Sequence, residues 1–142
     1  MNAMTRKNII LDFIKRNKLA VISTITSSNL PESAVIEFCQ TDNLEVIFDT
    51  LKTSRKYKNL QKNTNVALVI GWDDDITIQY EGIAEELQGK PLDDHKKIYF
   101  AKSSRAKKWE SNPDISYFLV KPKWIRYSDL NKSPWEIFEV KF

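Results

Sequence analysis

The sequence is poor in the residues on which many functional sites depend, with one cysteine, one histidine and three glycines among 142 residues. The single cysteine, Cys39, cannot form an internal disulfide and gives no reason to expect an oxidising compartment. One histidine and one cysteine do not provide the ligand spacing of a zinc site. Three glycines do not form a glycine-rich nucleotide loop. We therefore expect no metal site and no nucleotide site of that type.

Long apolar runs and a strong net charge are also missing. No apolar stretch is long enough to span a bilayer, and the apolar residues 9–11 are soon followed by Asp12 and Lys15, which argues against a signal peptide. The formal net charge is only +3, whereas a nucleic-acid-binding domain is expected to be strongly basic. The sequence predicts a cytoplasmic protein that binds neither a membrane nor nucleic acid.

Hydrophobic residues make up 42% of the chain and charged residues 29%, a balance that is typical of a globular protein. The length suits one domain with a sizeable core. Because no linker, repeat or low-complexity segment interrupts the chain, we expect a single domain over residues 1–142.

Hydrophobic periodicity predicts short strands with a few helices inserted among them. Helices are expected at residues 5–18, 54–61 and 91–102, and strands at 19–26, 33–39, 44–49, 65–70, 76–87, 115–120, 123–127 and 135–142. Gly82, in the middle of the longest strand, indicates a bulge or bend. Strands and helices do not alternate regularly, so the pattern favours a mainly β class with helices and a closed or partly closed antiparallel barrel.

The segment Phe48-Asp49-Thr50-Leu51-Lys52-Thr53-Ser54-Arg55-Lys56 joins a predicted strand to a predicted helix. The first turn of a helix has free N–H groups that attract anions, and either Thr53 or Ser54 can cap that turn. Arg55 and Lys56 add donors that suit a phosphate. The segment therefore predicts a site for a phosphorylated small molecule or cofactor.

The same segment has a simpler interpretation as a helix cap followed by two solvated cations. Cations are unfavourable at a helix N-terminus, so this placement requires a compensating anion. Asp49 is a candidate for that anion in place of a phosphate.

The chain resembles the pyridoxamine 5'-phosphate oxidase-like superfamily of FMN-binding split barrels, and in particular its small, general-stress-protein-like members. The resemblance is carried mainly by the spacing Thr50…Ser54-Arg55-Lys56. It is supported by the turn at Pro31, the strand entry at residues 63–68, the strand that contains Gly82 and the closing segment 121–129. It implies an antiparallel split β-barrel, a homodimer and bound FMN.

The resemblance also implies roles for individual residues. Arg55 and Lys56, with the turn at Thr53 and Ser54, correspond to the phosphate grip, and Thr50 corresponds to a residue that contacts the flavin. The remaining positions implied near the cofactor are Ser33, Ala34, Val35, Asp49 and Thr77. The C-terminal residues Trp124, Arg126 and Trp135 fall in the region that, in the family, covers the flavin of the partner subunit or forms the substrate side.

Two departures from the family pattern limit the cofactor and substrate roles that the resemblance implies for this chain. By spacing from Pro31, an arginine and a lysine that serve FMN in the full oxidases are replaced here by Ala34 and Cys39. The Arg-Leu-His-Asp-Arg-like motif that holds pyridoxal phosphate is replaced by residues 131–136, which include no histidine. We therefore expect an FMN-binding flavoprotein, an oxidoreductase of unknown substrate rather than a true pyridoxamine phosphate oxidase.

Two alternatives remain open from the sequence. One is a non-catalytic protein that binds flavin, a deazaflavin coenzyme or haem in a stress-related or sensing role. The other is an anion- or nucleic-acid-binding barrel that uses the basic run Lys102, Arg105, Lys107 and Lys108 with Trp109, which the modest net charge disfavours.

Overall fold

The computed structural model describes residues 1–142 and is organised by one eight-stranded antiparallel sheet. The strands are β1 (Leu19–Ile25), β2 (Pro31–Glu37), β3 (Cys39–Gln40), β4 (Val46–Leu51), β5 (Asn65–Ile70), β6 (Ile76–Glu86), β7 (Ile115–Asp129) and β8 (Glu136–Lys141). Their order across the sheet is β2-β1-β5-β6-β7-β4-β3, and β8 also pairs with β7. The sheet curls into a half-barrel, so that β2 lies beside β4 although the two strands do not pair. The expected split-barrel class is confirmed.

The long strand β7 holds the two halves of the sheet together. It pairs with β6 from Phe118 to Asp129, while its other edge pairs first with β4 and then with β8. The sequence predicted two strands here, interrupted at Pro122, and this was wrong. Pro122 lies opposite Gly82 at the register shift that follows Glu81. Because a bulge interrupts the ladder there, the missing N–H of proline is tolerated and the strand continues.

Three helices pack against the sheet, namely α1 (Ala3–Lys15), α2 (Arg55–Leu60) and α3 (Gly89–Lys102), and a 3-10 helix follows at Ser104–Trp109. The inner face of α1 is formed by Ile10, Phe13 and Ile14, which are buried. In α3 the buried residue is Tyr99, whereas its neighbour Ile98 is 40% exposed. No helix has both the length and the apolar character needed to cross a bilayer.

The apolar side chains form two separate clusters. The larger one fills the inside of the curl, and the smaller one lies between β4, β7 and α3, where Ile47, Leu119 and Tyr99 pack together. Because the smaller cluster anchors α3 beside β4, it also places the 3-10 helix, and with it Trp109, at the edge of the space between β2 and β4.

Part of one side of the curled sheet, away from the region that α3 covers, is left without a helix. Cross-strand register places Val35, Val21, Val69, Gln79 and Arg126 in one row across β2, β1, β5, β6 and β7. These side chains are exposed or half-buried, and Val35 is 61% exposed. We call this helix-free part of the sheet the outer face.

Candidate functional site

The site begins at the junction between β4 and α2, where the cap is made by Ser54. Its Oγ accepts a hydrogen bond from the backbone N–H of Tyr57 at 3.2 Å and shares another with Oγ1 of Thr50 at 2.7 Å. Thr53, the other predicted cap, is exposed and makes no cap. Since α2 has only six residues, binding of an anion here depends on side-chain cations more than on the helix dipole.

A first cavity, which we call the basic pocket, opens beside this junction. It has a volume of about 230 Å³ and is lined by Ile22, Thr24, Glu32, Ser33, Ala34, Arg55 and Lys56. Ser33 is tied to β1 by a hydrogen bond between its Oγ and that of Ser23, at 2.8 Å. The pocket therefore combines two cations with hydroxyl groups, which suits an anionic group of small size.

Glu32 is the anion that compensates Arg55. The Arg55 guanidinium donates to one carboxylate oxygen of Glu32, and Nδ2 of Asn59 donates to the other at 2.9 Å. Asn59 is buried and also donates to Oγ1 of Thr24 at 3.0 Å. The hydrogen bonds from Arg55 and then Asn59 hold the pKa of Glu32 below its usual value. Asp49, the anion suggested from the sequence, interacts with Lys56 rather than with Arg55.

A second cavity, which we call the β2–β4 pocket, adjoins the first, and Lys56 lines both. It has a volume of about 430 Å³, within the range of small-molecule sites. Its walls are partly apolar, through Val35, Ile36, Leu51, Ile115 and Trp109, and its polar lining consists of Glu37, Asp49, Thr50, Thr53, Ser54 and Lys56.

Asp49 gives this second pocket an unsatisfied acceptor. Its Oδ2 atom is buried and has no hydrogen-bond partner, and the same is true of the hydroxyl of Tyr117, the residue opposite Asp49 on β7. Burial raises the pKa of the Asp49 carboxyl, and the nearby hydroxyl of Tyr99 and then the charge of Lys56 partly offset this effect. Burial likewise lowers the pKa of the Lys56 ammonium and raises that of Tyr117 to about 12. A ligand that donates a hydrogen bond would relieve this burial cost.

The structure brings nine of the ten expected cofactor residues to these two pockets. Ser33, Ala34, Arg55 and Lys56 line the basic pocket, and Val35, Asp49, Thr50, Thr53 and Ser54 join Lys56 in the β2–β4 pocket. Each of these positions lies on β2 or in the segment from β4 into α2, and the curl of the sheet is what brings the two together.

Thr77 and the C-terminal residues lie elsewhere in the chain. Thr77 pairs with Ser128 on the outer face, three strands from β2, which is about 14 Å at the usual spacing of strands. Trp124 and Arg126 lie on β7 and share the carboxylate of Glu139. Trp135 precedes β8 and is 63% exposed. Within one chain these residues do not reach either pocket.

Three lining or supporting residues were missed from the sequence. Glu32 and Asn59 carry no local signal, because their contacts join β2, α2 and β1. Trp109 was grouped with the basic run 102–108, but it lines the β2–β4 pocket. The side chain of Lys102, another residue of that run, is engaged within the chain, because its Nζ donates to Oε1 of Gln40 at 2.6 Å. No group of three or more His, Cys, Asp or Glu side chains is placed to hold a metal ion.

Comparisons with known proteins agree with this architecture. The sequence profile of the pyridoxamine 5'-phosphate oxidase family matches residues 8–129. General stress protein 26 of Bacillus subtilis (strain 168) is 25% identical over 130 residues, which cover 89% of this chain and 90% of that protein. The crystal structure of general stress protein 26 from Bacillus anthracis has a TM-score of 0.72 at 25% identity, and the match covers 96% of this chain and all of that one.

A more distant similarity concerns the fold alone. The structure of a haem-binding protein from Mycobacterium smegmatis has a TM-score of 0.81 at 11% sequence identity. The match covers 99% of this chain but only 59% of that protein, so the present chain corresponds to little more than half of its length.

Proposed function

Because this chain belongs to the pyridoxamine 5'-phosphate oxidase family, we propose that it is an FMN-binding flavoprotein and an oxidoreductase whose substrate is not pyridoxamine 5'-phosphate. The observation that carries the proposal is the junction of two pockets of different character at Lys56. A small basic compartment adjoins a larger, partly apolar one, which is the division that a phosphorylated ring requires.

The basic pocket fits the phosphate end. Arg55 offers a planar set of donors and Lys56 a point charge, and both are suited to phosphate oxygens. The side chain of Arg55 is 77% exposed, so its guanidinium is accessible from solvent. Ser33 and Thr24 add hydroxyl groups at the same wall.

The β2–β4 pocket fits the ring end. Leu51, Ile115 and Trp109 provide apolar surface, on which a flat aromatic ring is stabilised by burial. The carboxylate of Asp49, which lines this pocket, provides an acceptor for a ring N–H group. When bound, FMN supplies hydride and single-electron transfer; the residues of the chain bind it, orient it and exclude water from one side.

Pyridoxamine 5'-phosphate is not the proposed substrate. The segment 131–136 includes no histidine or arginine, although those residues in the oxidases hold the substrate. In this chain Asn131 bonds to the Asp74 carbonyl and Lys132 to Glu136, so both are used in local contacts of the turn before β8.

A homodimer is part of the proposal. Thr77, Trp124 and Arg126 lie on the same outer face as Ser33 and Val35, yet three or four strands away. A second copy packed on this face, related by two-fold symmetry, would bring its Thr77 and Arg126 toward the pockets of the first. Both groups of predicted residues then belong to one site.

Haem is a second candidate ligand, favoured by the fold similarity to a haem-binding protein from Mycobacterium smegmatis and to a haem storage protein from Vibrio cholerae. The residues that line the two pockets include no histidine, cysteine or methionine to bind the iron, and such axial ligands are usual in haem proteins. The pockets therefore fit FMN, or a phosphorylated deazaflavin, better than haem.

A visible spectrum of the purified protein, alone and after addition of FMN or haemin, tests the ligand directly. Flavin bands support the proposal, a Soret band favours haem, and the absence of flavin binding would contradict the proposal. Bleaching of the bound flavin by NADH or NADPH, followed by reoxidation in air, would support the oxidoreductase activity.

The double variant Arg55→Ala/Lys56→Ala tests the placement of the phosphate. We expect its affinity for FMN to fall by about 100-fold, the loss of roughly two charge-assisted hydrogen bonds. Riboflavin, which has no phosphate, should change by less than about threefold. Arg105→Ala/Lys107→Ala removes two exposed cations from the 3-10 helix and should leave both affinities unchanged. Equal losses for FMN and riboflavin in the first variant would exclude this phosphate position.

A further inference from the structure

The guanidinium of Arg55 already has an anionic partner within the chain. It donates to Glu32, whose carboxylate lines the basic pocket together with Arg55 and Lys56. A ligand phosphate that binds Arg55 therefore enters a pocket that contains a negative charge.

Glu32 is held more firmly than Arg55. Nδ2 of Asn59 donates to Oε1 of Glu32 at 2.9 Å and to Oγ1 of Thr24 at 3.0 Å, and both Asn59 and Thr24 are buried. The side chain of Glu32 is 24% exposed, against 77% for Arg55. An incoming anion can reposition the arginine, but it cannot easily displace the carboxylate.

Other charged residues surround Glu32 and Arg55. Lys56 lies between Glu32 in the basic pocket and Asp49 in the β2–β4 pocket, and the attraction of Asp49 acts on its half-buried ammonium. Lys58 and Lys62 line an adjoining polar cavity with Thr26 and Ser27, and Glu32 and Arg55 line that cavity too. Two carboxylates thus face the two cations nearest to a bound phosphate.

We propose that Glu32 is a specificity-determining residue, a built-in counter-ion that reduces the preference of the site for a phosphorylated ligand over its unphosphorylated form. The inference rests on the proposed flavin function for its physiological meaning. A fixed negative charge near a bound phosphate repels it, and this repulsion provides selectivity. Glu32 therefore weakens the binding of FMN and leaves the binding of riboflavin, which has no phosphate, unchanged.

Glu32→Gln tests the inference, because glutamine keeps an acceptor for Asn59 and removes the charge. The measured quantity is the ratio of the riboflavin dissociation constant to that of FMN, at low ionic strength. We expect this ratio to increase by about tenfold in Glu32→Gln, through tighter FMN binding. Glu32→Ser, which removes the carboxylate altogether, should shift the ratio in the same direction.

A matched control is Glu85→Gln, which makes the same change in net charge at an exposed residue paired with Lys121 on the outside of the sheet. It should leave the ratio at the wild-type value. An equal increase in Glu85→Gln and Glu32→Gln would assign the effect to net charge and overturn the proposal.

A second readout, the shift in melting temperature caused by inorganic phosphate, needs no flavin. If both flavins bind and the ratio is unchanged in Glu32→Gln, the role of Glu32 is wrong and the flavin function stands. If no flavin binds but phosphate stabilises Glu32→Gln more than the wild type, the flavin function is wrong and the role of Glu32 stands. If no flavin binds and phosphate acts equally on both proteins, both proposals are wrong.

Discussion

At the scale of single residues, unsatisfied polar atoms are concentrated where β4 faces β7. Asp49 and Tyr117 lie opposite each other on these two paired strands. Oδ2 of Asp49 and the hydroxyl of Tyr117 are both buried and have no hydrogen-bond partner. Such groups cost free energy in the folded state, and in native proteins they are commonly found at sites that bind something. The buried carboxyl of Asp49 should therefore affect the stability of the folded protein measurably, even without a ligand.

The substitution Asp49→Asn should raise the melting temperature at pH 8 by about 3 °C, after allowance for screening of this partly exposed group. Burial raises the pKa of Asp49 above its ordinary value of 3.8, so the folded state binds a proton more tightly than the unfolded state. That stabilisation is present at low pH and is lost as the pH rises through the folded-state pKa. The gain in Asp49→Asn should therefore disappear below about pH 4.

Thermal unfolding of both proteins between pH 3.5 and pH 8 checks this expectation. Asp42→Asn, at an exposed position, is the control and should follow the wild type throughout. A difference between Asp49→Asn and the wild type that is the same at every pH would show that packing, rather than ionisation, is responsible.

The sequence predicted some of these residues and not others. Arg55 and Lys56 were identified because their spacing from Thr50 is local. Glu32 was not, because it meets Arg55 across 23 residues of sequence and only through the packing of α2 on β1 and β2. The choice between Thr53 and Ser54 as cap depends on backbone angles that two adjacent hydroxyl residues do not reveal.

At the scale of elements, α2 is the one that depends most on its ends. A helix of six residues gains little from its own length, so its position depends on the cap and on Asn59 and Leu60, which are buried. Ser54 caps the helix and also bonds to Thr50 at the end of β4. It fixes the helix relative to the strand.

Replacement of Ser54 by alanine should lower the free energy of unfolding by about 1 kcal/mol, the usual cost of a lost N-cap. Thr53→Ala, one residue earlier and exposed, should change it by less than about 0.5 kcal/mol. Urea denaturation of the two variants and the wild type provides the comparison. Similar losses in the two variants would show that the capping role is shared.

Most strands were predicted because alternation is a local signal, and β5 has the bounds that were expected, Asn65–Ile70. The bulge at Gly82 is confirmed, and its physical reason is visible: an added Cβ would collide with the Lys121 carbonyl and lie 2.9 Å from a methyl group of Val120. The continuity of β7 through Pro122 was not predictable, since it depends on which residue of another strand lies opposite the proline.

At the scale of the whole molecule, the site is made by the curl of the sheet. β2 is at one end of the strand order and β4 is next to the other end, yet both line the same pocket. Local patterns carry no information about this closure; the family resemblance supplied it. The outer face, left bare in one chain, is the surface on which the proposed second copy would pack.

A mixing experiment tests whether each site is shared between two copies. Arg55→Ala/Lys56→Ala removes the phosphate side and Thr77→Ala/Arg126→Ala removes the outer-face side, so each variant alone should bind FMN weakly. In an equal mixture prepared by co-expression, half of the dimers are mixed and each has one intact site, so tight binding should return at about a quarter of the sites.

Fluorescence titration with FMN counts the tight sites, and light scattering gives the mass of the particle. Co-expression of either variant with itself is the control and should yield no tight sites. A mixture that binds no better than its components, or a particle with the mass of one chain, would exclude a shared site.

The position of β7 late in the chain has a consequence for biosynthesis. β4 and β6 each gain their second partner only after residues 115–129 have emerged from the ribosome, and β8 adds the last pairing after that. Until then a nascent chain presents unpaired strand edges, which promote association between chains. We therefore expect ribosome-bound or prematurely terminated chains that stop before Ile115 to be the form of this protein most dependent on chaperones.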